Sequence, residues 1–472
     1  MRVLWFRRDL RLSDNKAMYE LEKALSEDSD ATWVAIFHLD SSFLNEQCLH
    51  HAYFFQNVKA FEEECESNGI HLYYIYGDVH TAFSELIYYV PEISDVYFNE
   101  DEASEEANRD TEISDYLSGK GVKMHSFKDA HFHDSSEVRK KDGEYYEVFT
   151  PYLKKWRTLQ KPRPYPCYLA KWKDKQASLS IPQTKKKDIL HDFIYQSEVH
   201  WNAIYESDAH TRLDWFLKET LMGYDEERDK LESDGTSKLS PFIKTGRISV
   251  RTIYDSMASS IEEGRRGAEA FLTELAWRDF YNMIHVHYPY LKKQELKEKY
   301  RNMQWKFNEE QWEKWKKGET GFPIVDAAMR QLNSEGWLHN RGRMIAASFL
   351  VKDYLFDWRR GEDYFRKQLI DYDSSSNPGG WQWAASTGTD AVPYFRVFSP
   401  TRQSERFDPK GTYIKRYIPE LKDVPVTYIH EPWKIDSTLQ EQFHCILDQD
   451  YPKPDIDHKA ARTRAINIFK GV

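Results

Sequence analysis

Five short apolar runs near the N-terminus constrain this fold more than any other feature of its 472 residues. They are Val3-Leu4-Trp5-Phe6, Trp33-Val34-Ala35-Ile36-Phe37, His71-Leu72-Tyr73-Tyr74-Ile75-Tyr76, Asp95-Val96-Tyr97-Phe98 and Val122-Lys123-Met124-His125. Segments with helical spacing, such as residues 52–68 and 105–117, lie between them. Strands alternating with helices predict a doubly wound α/β domain, a parallel sheet with helices on both faces. The turn after the first run reads Arg7-Arg8-Asp9-Leu10-Arg11-Leu12-Ser13-Asp14-Asn15 and carries no Gly-x-Gly-x-x-Gly loop. A dinucleotide bound by this chain is therefore expected elsewhere than at that turn.

The remainder divides by composition. Residues 132–200 are rich in Lys and Pro (Pro162, Pro164, Pro166, Pro182) and lack sustained periodicity, so they predict a long connector on the surface. From Trp201 onward the patterns are helical, and Ile324, Val325, Ala328, Met329 and Leu332 recur on one helical face. The expected organisation is an α/β domain over 1–131, a connector over 132–200 and an all-helical domain over 201–472.

The formal charge of −11 argues against a generally adhesive DNA binder. Its distribution is uneven: residues 139–187 carry 14 Lys/Arg against 4 Asp/Glu, and residues 92–115 carry 10 acids and one arginine. A DNA-contacting face is compatible with that asymmetry. The four cysteines, Cys48, Cys65, Cys167 and Cys445, have no metal-type spacing and read as reduced thiols of a cytosolic protein. No run is long enough for a membrane span, and the N-terminal apolar run stops at Arg7-Arg8, too early for a signal peptide. The expectation is a cytoplasmic monomer with no membrane partner and no metal.

Five constellations could carry chemistry. Gly235-Thr236-Ser237-Lys238-Leu239-Ser240-Pro241 offers backbone N–H groups, hydroxyls and a cation to a phosphate, with Tyr224 and Arg228 upstream; taken alone, a helix N-cap with a proline start is the plainer reading. In Glu274-Leu275-Ala276-Trp277-Arg278, a helix puts Glu274, Trp277 and Arg278 on one side; an exposed Glu/Arg pair beside a core tryptophan is the plainer reading. Trp337-Leu338-His339-Asn340-Arg341-Gly342-Arg343-Met344 precedes an apolar helix, and arginines two apart are usually surface charges. Asp371-Tyr372-Asp373-Ser374-Ser375-Ser376-Asn377 fits a solvated loop, and Pro378 biases Asn377 toward extended backbone. Finally, Trp305, Trp358 and Trp381 stand among 15 tryptophans with no common periodicity, beside Gly380-Trp381-Gln382-Trp383.

Taken together, these segments resemble the DNA photolyase/cryptochrome family, and the resemblance runs from Trp5-Phe6-Arg7-Arg8 to Phe407. It is greatest to class I photolyases for cyclobutane pyrimidine dimers. The resemblance implies FAD, active as FADH⁻, held by Tyr224, Thr236, Ser237, Leu239, Ser240, Arg278, Arg343, Asp371, Asp373 and Asn377. Asn377 would face flavin N5, and Arg343 would pair with Asp371. The substrate would be UV-damaged DNA, contacted by Arg228, Arg278, Arg341 and Arg402. The flipped dimer would lie between Trp277 and Trp383, with Glu274, Asn340 and Met344 in its pocket. Trp381 nearest the flavin, then Trp358, then Trp305 at the surface would form a relay: oxidised flavin, once excited, would take an electron from the nearest ring and the hole would hop outward. The family has (6-4) photolyases with paired histidines near the Asn340 segment; this chain has His339 alone there, which favours cyclobutane dimers. Plant cryptochromes tend to carry Asp, and animal ones Cys, at the Asn377 position. The Arg8–Arg11 turn and Glu106 align with the region where relatives bind an antenna, implying 5,10-methenyltetrahydrofolate or, alternatively, 8-hydroxy-5-deazaflavin.

Overall fold

The computed structural model describes residues 1–41, 48–101, 105–195 and 199–471, without the side chains of 105–108, 184–185 and 195. The chain divides into two compact units: Met1–Met222 with Ser237–Pro289, and Gly223–Thr236 with Tyr290–Val472.

In the first unit the five apolar runs form β1 (Arg2–Phe6), β2 (Trp33–Asp40), β3 (Leu72–Gly77), β4 (Asp95–Asn99) and β5 (Lys123–Phe127). All pairings are parallel, in the order β3-β2-β1-β4-β5. Alternation along each strand divides the residues between two cores. Leu4 and Phe6 of β1 pack with α1 (Lys16–Glu27) and α2 (Leu49–Ser67) through Met18, Leu21, Phe55, Val58 and Phe61. Val3 and Trp5 face the other way, onto α3 (Val79–Tyr89) and α4 (Glu105–Ser118) through Phe83, Leu86, Ile113 and Leu117. The predicted doubly wound layer arrangement is therefore present.

The connector differs from its sequence-based expectation. It includes a helix, Phe149–Thr158, whose Phe149, Tyr152 and Trp156 are buried at i, i+3 and i+7. Trp156 is fully enclosed, and its indole N–H donates to Asp279 Oδ2 at 2.9 Å. Three aromatics over two turns are too short a pattern to stand out in a Lys-rich run, yet they fix it against the helix Arg266–His287.

In the second unit the expected apolar face forms the helix Pro323–Glu335, with Ile324, Val325, Ala328, Met329 and Leu332 all buried. Proline at its first position needs no N–H partner there. This helix shares one core with three others, Asn340–Ser348, Trp358–Gln368 and Ser376–Ala385. These three carry Asn340, Arg341, Arg343, Met344, Trp358, Asn377, Trp381 and Trp383.

Candidate flavin and DNA-lesion site

The Asn340–Ser348 helix begins at His339, whose Nδ1 accepts the Arg341 backbone N–H at 3.0 Å. His339 thus caps the helix and orients its first turn. From that turn, Arg343 donates to both carboxylate oxygens of Asp371 at 3.0 and 2.7 Å, and to the Leu338 carbonyl at 2.8 Å. The Asp371 carboxylate is almost wholly enclosed, at 2% exposure, whereas Arg343 keeps about a quarter of its surface (27%). Arg341 points elsewhere: it pairs with Asp229 at 2.7 Å and stacks on Phe407 at 4.1 Å. Asn340 is exposed, and its amide lies 3.8 Å from the sulfur of half-buried Met344, one turn on.

Asp373 accepts the backbone N–H groups of Ser375 and Ser376 at 3.1 and 2.7 Å, and so starts the next helix. Asn377 is helical, contrary to the extended backbone that Pro378 suggested. The reason is local: the Asn377 N–H reaches the Asp373 carbonyl at 3.0 Å, and a proline in the first turn gives up no intrahelical bond. The Asn377 amide donates to Glu362, to its backbone carbonyl at 3.2 Å and to Oε1 at 3.0 Å. Burial pushes the Glu362 carboxyl above the ordinary range.

Two residues along a helix turn the side chain through about 200°, so Trp381 and Trp383 serve opposite faces. Trp381 is buried (2%) and closes on the backbone of the Trp358–Gln368 helix at Gly361, where a Cβ would stand 2.1 Å from its ring. Trp383 is half-buried, 6.5 Å from Phe398. Trp358 opens the neighbouring helix, fully enclosed. The chain before it forms a parallel bridge, Lys306 with Phe356, that brings the half-buried Trp305 alongside. Thus the three relay candidates occupy adjoining elements. In the same unit Tyr224 is buried, Arg228 lies 5.9 Å from its ring, and Thr236 is half-buried. Gly235 backs onto Glu227, whose carbonyl oxygen would lie 2.7 Å from an added Cβ. Arg402 is exposed on the first turn of the helix Pro400–Phe407.

The first unit holds the remaining candidates. Ser237 accepts from Arg212 through its carbonyl at 2.7 Å, and its hydroxyl oxygen accepts the Leu239 N–H at 3.3 Å. Lys238 between them is left-handed (φ 50), so this turn is sharp. Leu239 is buried, and exposed Ser240 begins the short helix Ser240–Thr245. On Arg266–His287, Glu274 and Trp277 are half-buried. One face of Trp277 is covered by Phe149, parallel at 3.5 Å between centroids. Arg278 donates to the Ala130 carbonyl at 2.5 Å.

At the antenna candidate, the arginines of the first turn are committed to carboxylates. Arg7 pairs with Asp101 and Asp110, Arg8 with Asp101, and Arg11 with Asp129. Burial pushes the Asp129 carboxyl up, but Arg11 and Arg251 outweigh it and hold the group at about 2. The Glu106 side chain lies outside the described residues.

Residues 2–168 match the family profile for DNA photolyase, and residues 271–471 match that for the FAD binding domain of DNA photolyase. A deoxyribodipyrimidine photo-lyase of Alkalihalophilus pseudofirmus is 46% identical over 100% of this chain and 98% of its own length. The chain belongs to the DNA photolyase family. The Escherichia coli deoxyribodipyrimidine photo-lyase is 35% identical over 99% of the chain and 98% of its own length. Among solved structures, a class III photolyase from Agrobacterium tumefaciens superposes with a TM-score of 0.91 at 30% identity, covering 100% of this chain and 97% of the other. A Synechocystis cryptochrome gives 0.85 at 26% identity, covering 99% of each.

Within this family fold, the amide of Asn377, the Arg343–Asp371 pair and the Asp373 turn come from neighbouring helices of one unit. That mixture of donors, acceptors and one balanced ion pair suits the polar edge of a flavin ring, so the residues present fit FAD. Three partners of the candidate residues escaped sequence reasoning. Glu362 grips Asn377. Glu295, 1% exposed, accepts the Trp358 indole N–H at 3.1 Å and pairs with Arg359 at 2.7 Å. Gln382 donates to the Leu291 and Gln294 carbonyls at 2.7 and 3.0 Å, which fixes the segment between the two tryptophans. Each acts through a partner distant in sequence, and no local pattern announces such a pairing.

Proposed function

We infer that this photolyase-family chain repairs cyclobutane pyrimidine dimers in DNA under light, as a deoxyribodipyrimidine photo-lyase using FAD. The observation that carries this reading is 46% identity over the full chain to a relative of that name. Bound reduced FAD supplies the one-electron chemistry on absorbing blue light, and the protein supplies position and electrostatics. Asn377 presents an amide, which carries no charge, toward the ring, while Arg343 with Asp371 balances charge beside it. Tyr224, Thr236, Ser237, Leu239, Ser240, Arg278 and Asp373 complete the flavin contacts. The dimer leaves the helix readily because it stacks poorly. Trp277 and Trp383 offer it aromatic faces, and Asn340 and Met344 line its edge. Glu274 hydrogen-bonds the pyrimidine edge. Arg228, Arg341 and Arg402 engage phosphates, which makes affinity salt-dependent. Trp381, Trp358 and Trp305 pass electrons inward when the flavin is oxidised.

A second chromophore near the first turn, a folate or a deazaflavin, is proposed as the antenna, with Glu106 a candidate contact. The enzyme is proposed to act as a cytoplasmic monomer, with residues 1–131, 132–200 and 201–472 as its antenna, connecting and catalytic segments. No described helix is long and apolar enough to cross a membrane.

The test is repair of an oligonucleotide carrying one thymine cyclobutane dimer by purified reduced protein, in blue light and in the dark, with a (6-4) substrate in parallel. Light-dependent restoration of the cyclobutane substrate alone is expected. Repair of the (6-4) lesion would reassign the substrate. No repair of either by reduced, flavin-loaded protein would favour the photoreceptor reading that the cryptochrome likeness supports.

A further inference from the structure

Cys48, His50 and His51 converge at the start of α2. Cys48 immediately precedes the helix, in extended backbone (φ −149, ψ 149), and the two histidines are its second and third residues. One ligand atom from each, the thiol sulfur and a ring nitrogen of each imidazole, lies within 4.8 Å of the others. Cys48 Sγ and His50 Nε2 are 3.9 Å apart. The two imidazoles meet edge to face, 4.2 Å between centroids at 63°. All three residues are half-buried. Among the described residues this is the only group of three or more His, Cys, Asp or Glu ligand atoms so gathered.

The geometry is close to that of a metal site. Zinc bonds of about 2.3 Å to sulfur and about 2.0 Å to nitrogen, at tetrahedral angles, separate the two ligand atoms by about 3.5 Å. The observed 3.9 Å separation is a few tenths of an ångström wider, within reach of side-chain rotation. The extended backbone at Cys48 is what lets its side chain meet ligands from the first helical turn. Sequence spacing missed this set because the four cysteines lie far apart, while the partners of Cys48 are adjacent imidazoles.

The donor set selects the ion. One thiolate with two imidazoles is a borderline-soft set that suits Zn²⁺ and is ill-suited to Mg²⁺ or Ca²⁺. We propose that Cys48, His50 and His51 bind one Zn²⁺, with water in the fourth position. On binding, the Cys48 thiol releases its proton to solvent, both imidazoles bind neutral, and no electron moves. Affinity therefore rises with pH as that proton becomes easier to remove. The ion ties the residue before α2 to the helix's first turn. Because α2 follows β2, this places the tie at the carboxyl end of the parallel sheet, the end at which open α/β folds receive ligands. None of its three residues is among those assigned above to flavin or lesion.

The experiment uses the flavin-loaded, full-length protein, freed of metal by a chelator and titrated with zinc chloride near neutral pH. Calorimetry reads stoichiometry, and X-ray absorption at the zinc edge reads the ligands. One zinc per chain, with one sulfur and two or more nitrogen neighbours, is expected. Cys48→Ser should remove the sulfur neighbour and weaken binding by more than about tenfold, as should His51→Asn without loss of the sulfur. Flavin content and circular dichroism check that each variant is folded, and dimer repair is expected to persist. Where a variant does not fold, Co²⁺ in the unmodified protein answers instead. A sulfur-to-cobalt charge-transfer band with intense tetrahedral bands supports the site, and a weak six-coordinate spectrum overturns it. Absence of stoichiometric zinc binding, a sulfur-free spectrum, or one-zinc binding unchanged in Cys48→Ser also overturns it.

Discussion

Asn377 and Glu362 are locked together: one side-chain amide nitrogen donates both to the Glu362 carboxylate at 3.0 Å and to its backbone carbonyl at 3.2 Å. With the nitrogen held on that side, the amide oxygen must face the other way. Under the proposed function, this bond would set which end of the Asn377 amide the flavin meets.

Asn377→Asp should disrupt this arrangement. The new carboxylate cannot donate, and it opposes Glu362, whose carboxyl burial already pushes up. A negative charge beside reduced flavin disfavours it. Reoxidation of the reduced enzyme in air is expected to accelerate by about tenfold, equivalent to about 1.4 kcal/mol. An unchanged rate, followed by flavin absorbance, would remove Asn377 from the ring's surroundings.

The relay assignment makes a separable prediction. Trp381→Phe should impair photoreduction of oxidised FAD while sparing repair by chemically reduced enzyme, and equal loss of both would sink it. Glu295→Gln keeps an acceptor for the Trp358 indole but removes the charge beside it. Photoreduction is expected to slow by about three- to tenfold, since a charged acceptor is worth about 1 kcal/mol more than a neutral one. Transient absorption after a flash measures both.

Asp279 sets a pH dependence of stability. Burial pushes its carboxyl up to about 7 from an ordinary 3.8, although Trp156 and His133 donate to it. Because the folded value is raised, this contribution is full below about pH 4 and is lost as pH rises to about 7. Its upper limit is about 4 kcal/mol. Lys161, nearby, is lowered to about 8 by burial, so its own effect falls in a separate window between about 8 and 10.5 and has the opposite slope. Melting temperatures of Asp279→Asn between pH 4 and 7 should therefore vary less than those of the parent. An identical profile would show that Asp279 is ionised throughout.

Arg343→Ala should cost about 2–4 kcal/mol, because it leaves the enclosed Asp371 carboxylate unpaired. Arg343→Lys should lose less, keeping the charge but not both hydrogen bonds. Urea denaturation and flavin release should rank the two variants alike, and equal behaviour of Ala and Lys would contradict the pair's importance.

Arg341 is engaged by Asp229 and Phe407 before any DNA arrives. Asp229→Asn should release it and tighten binding to dimer-containing DNA. Arg341→Ala should weaken binding and lower the slope of log affinity against log salt by about one. Filter binding across salt concentrations measures both, and an unaltered slope would take Arg341 off the phosphates.

The sequence by itself determined the layers and the family. The β-strands follow from short apolar runs such as Val3–Phe6, and the Pro323–Glu335 helix from its apolar spacing, because both patterns are local and periodic. The Arg343–Asp371 pair was also legible, through family resemblance rather than spacing. Only the tertiary structure decided what each side chain is committed to. It buried Trp156 in a run that reads as surface, kept Asn377 helical beside Pro378, joined Asn377 to Glu362 and Trp358 to Glu295, and gathered Cys48 with two histidines. These depend on cooperative packing: a hydrogen bond forms where folding brings a donor to an acceptor, at Trp358 and Glu295 across 63 residues, and one-dimensional periodicity carries no record of that meeting.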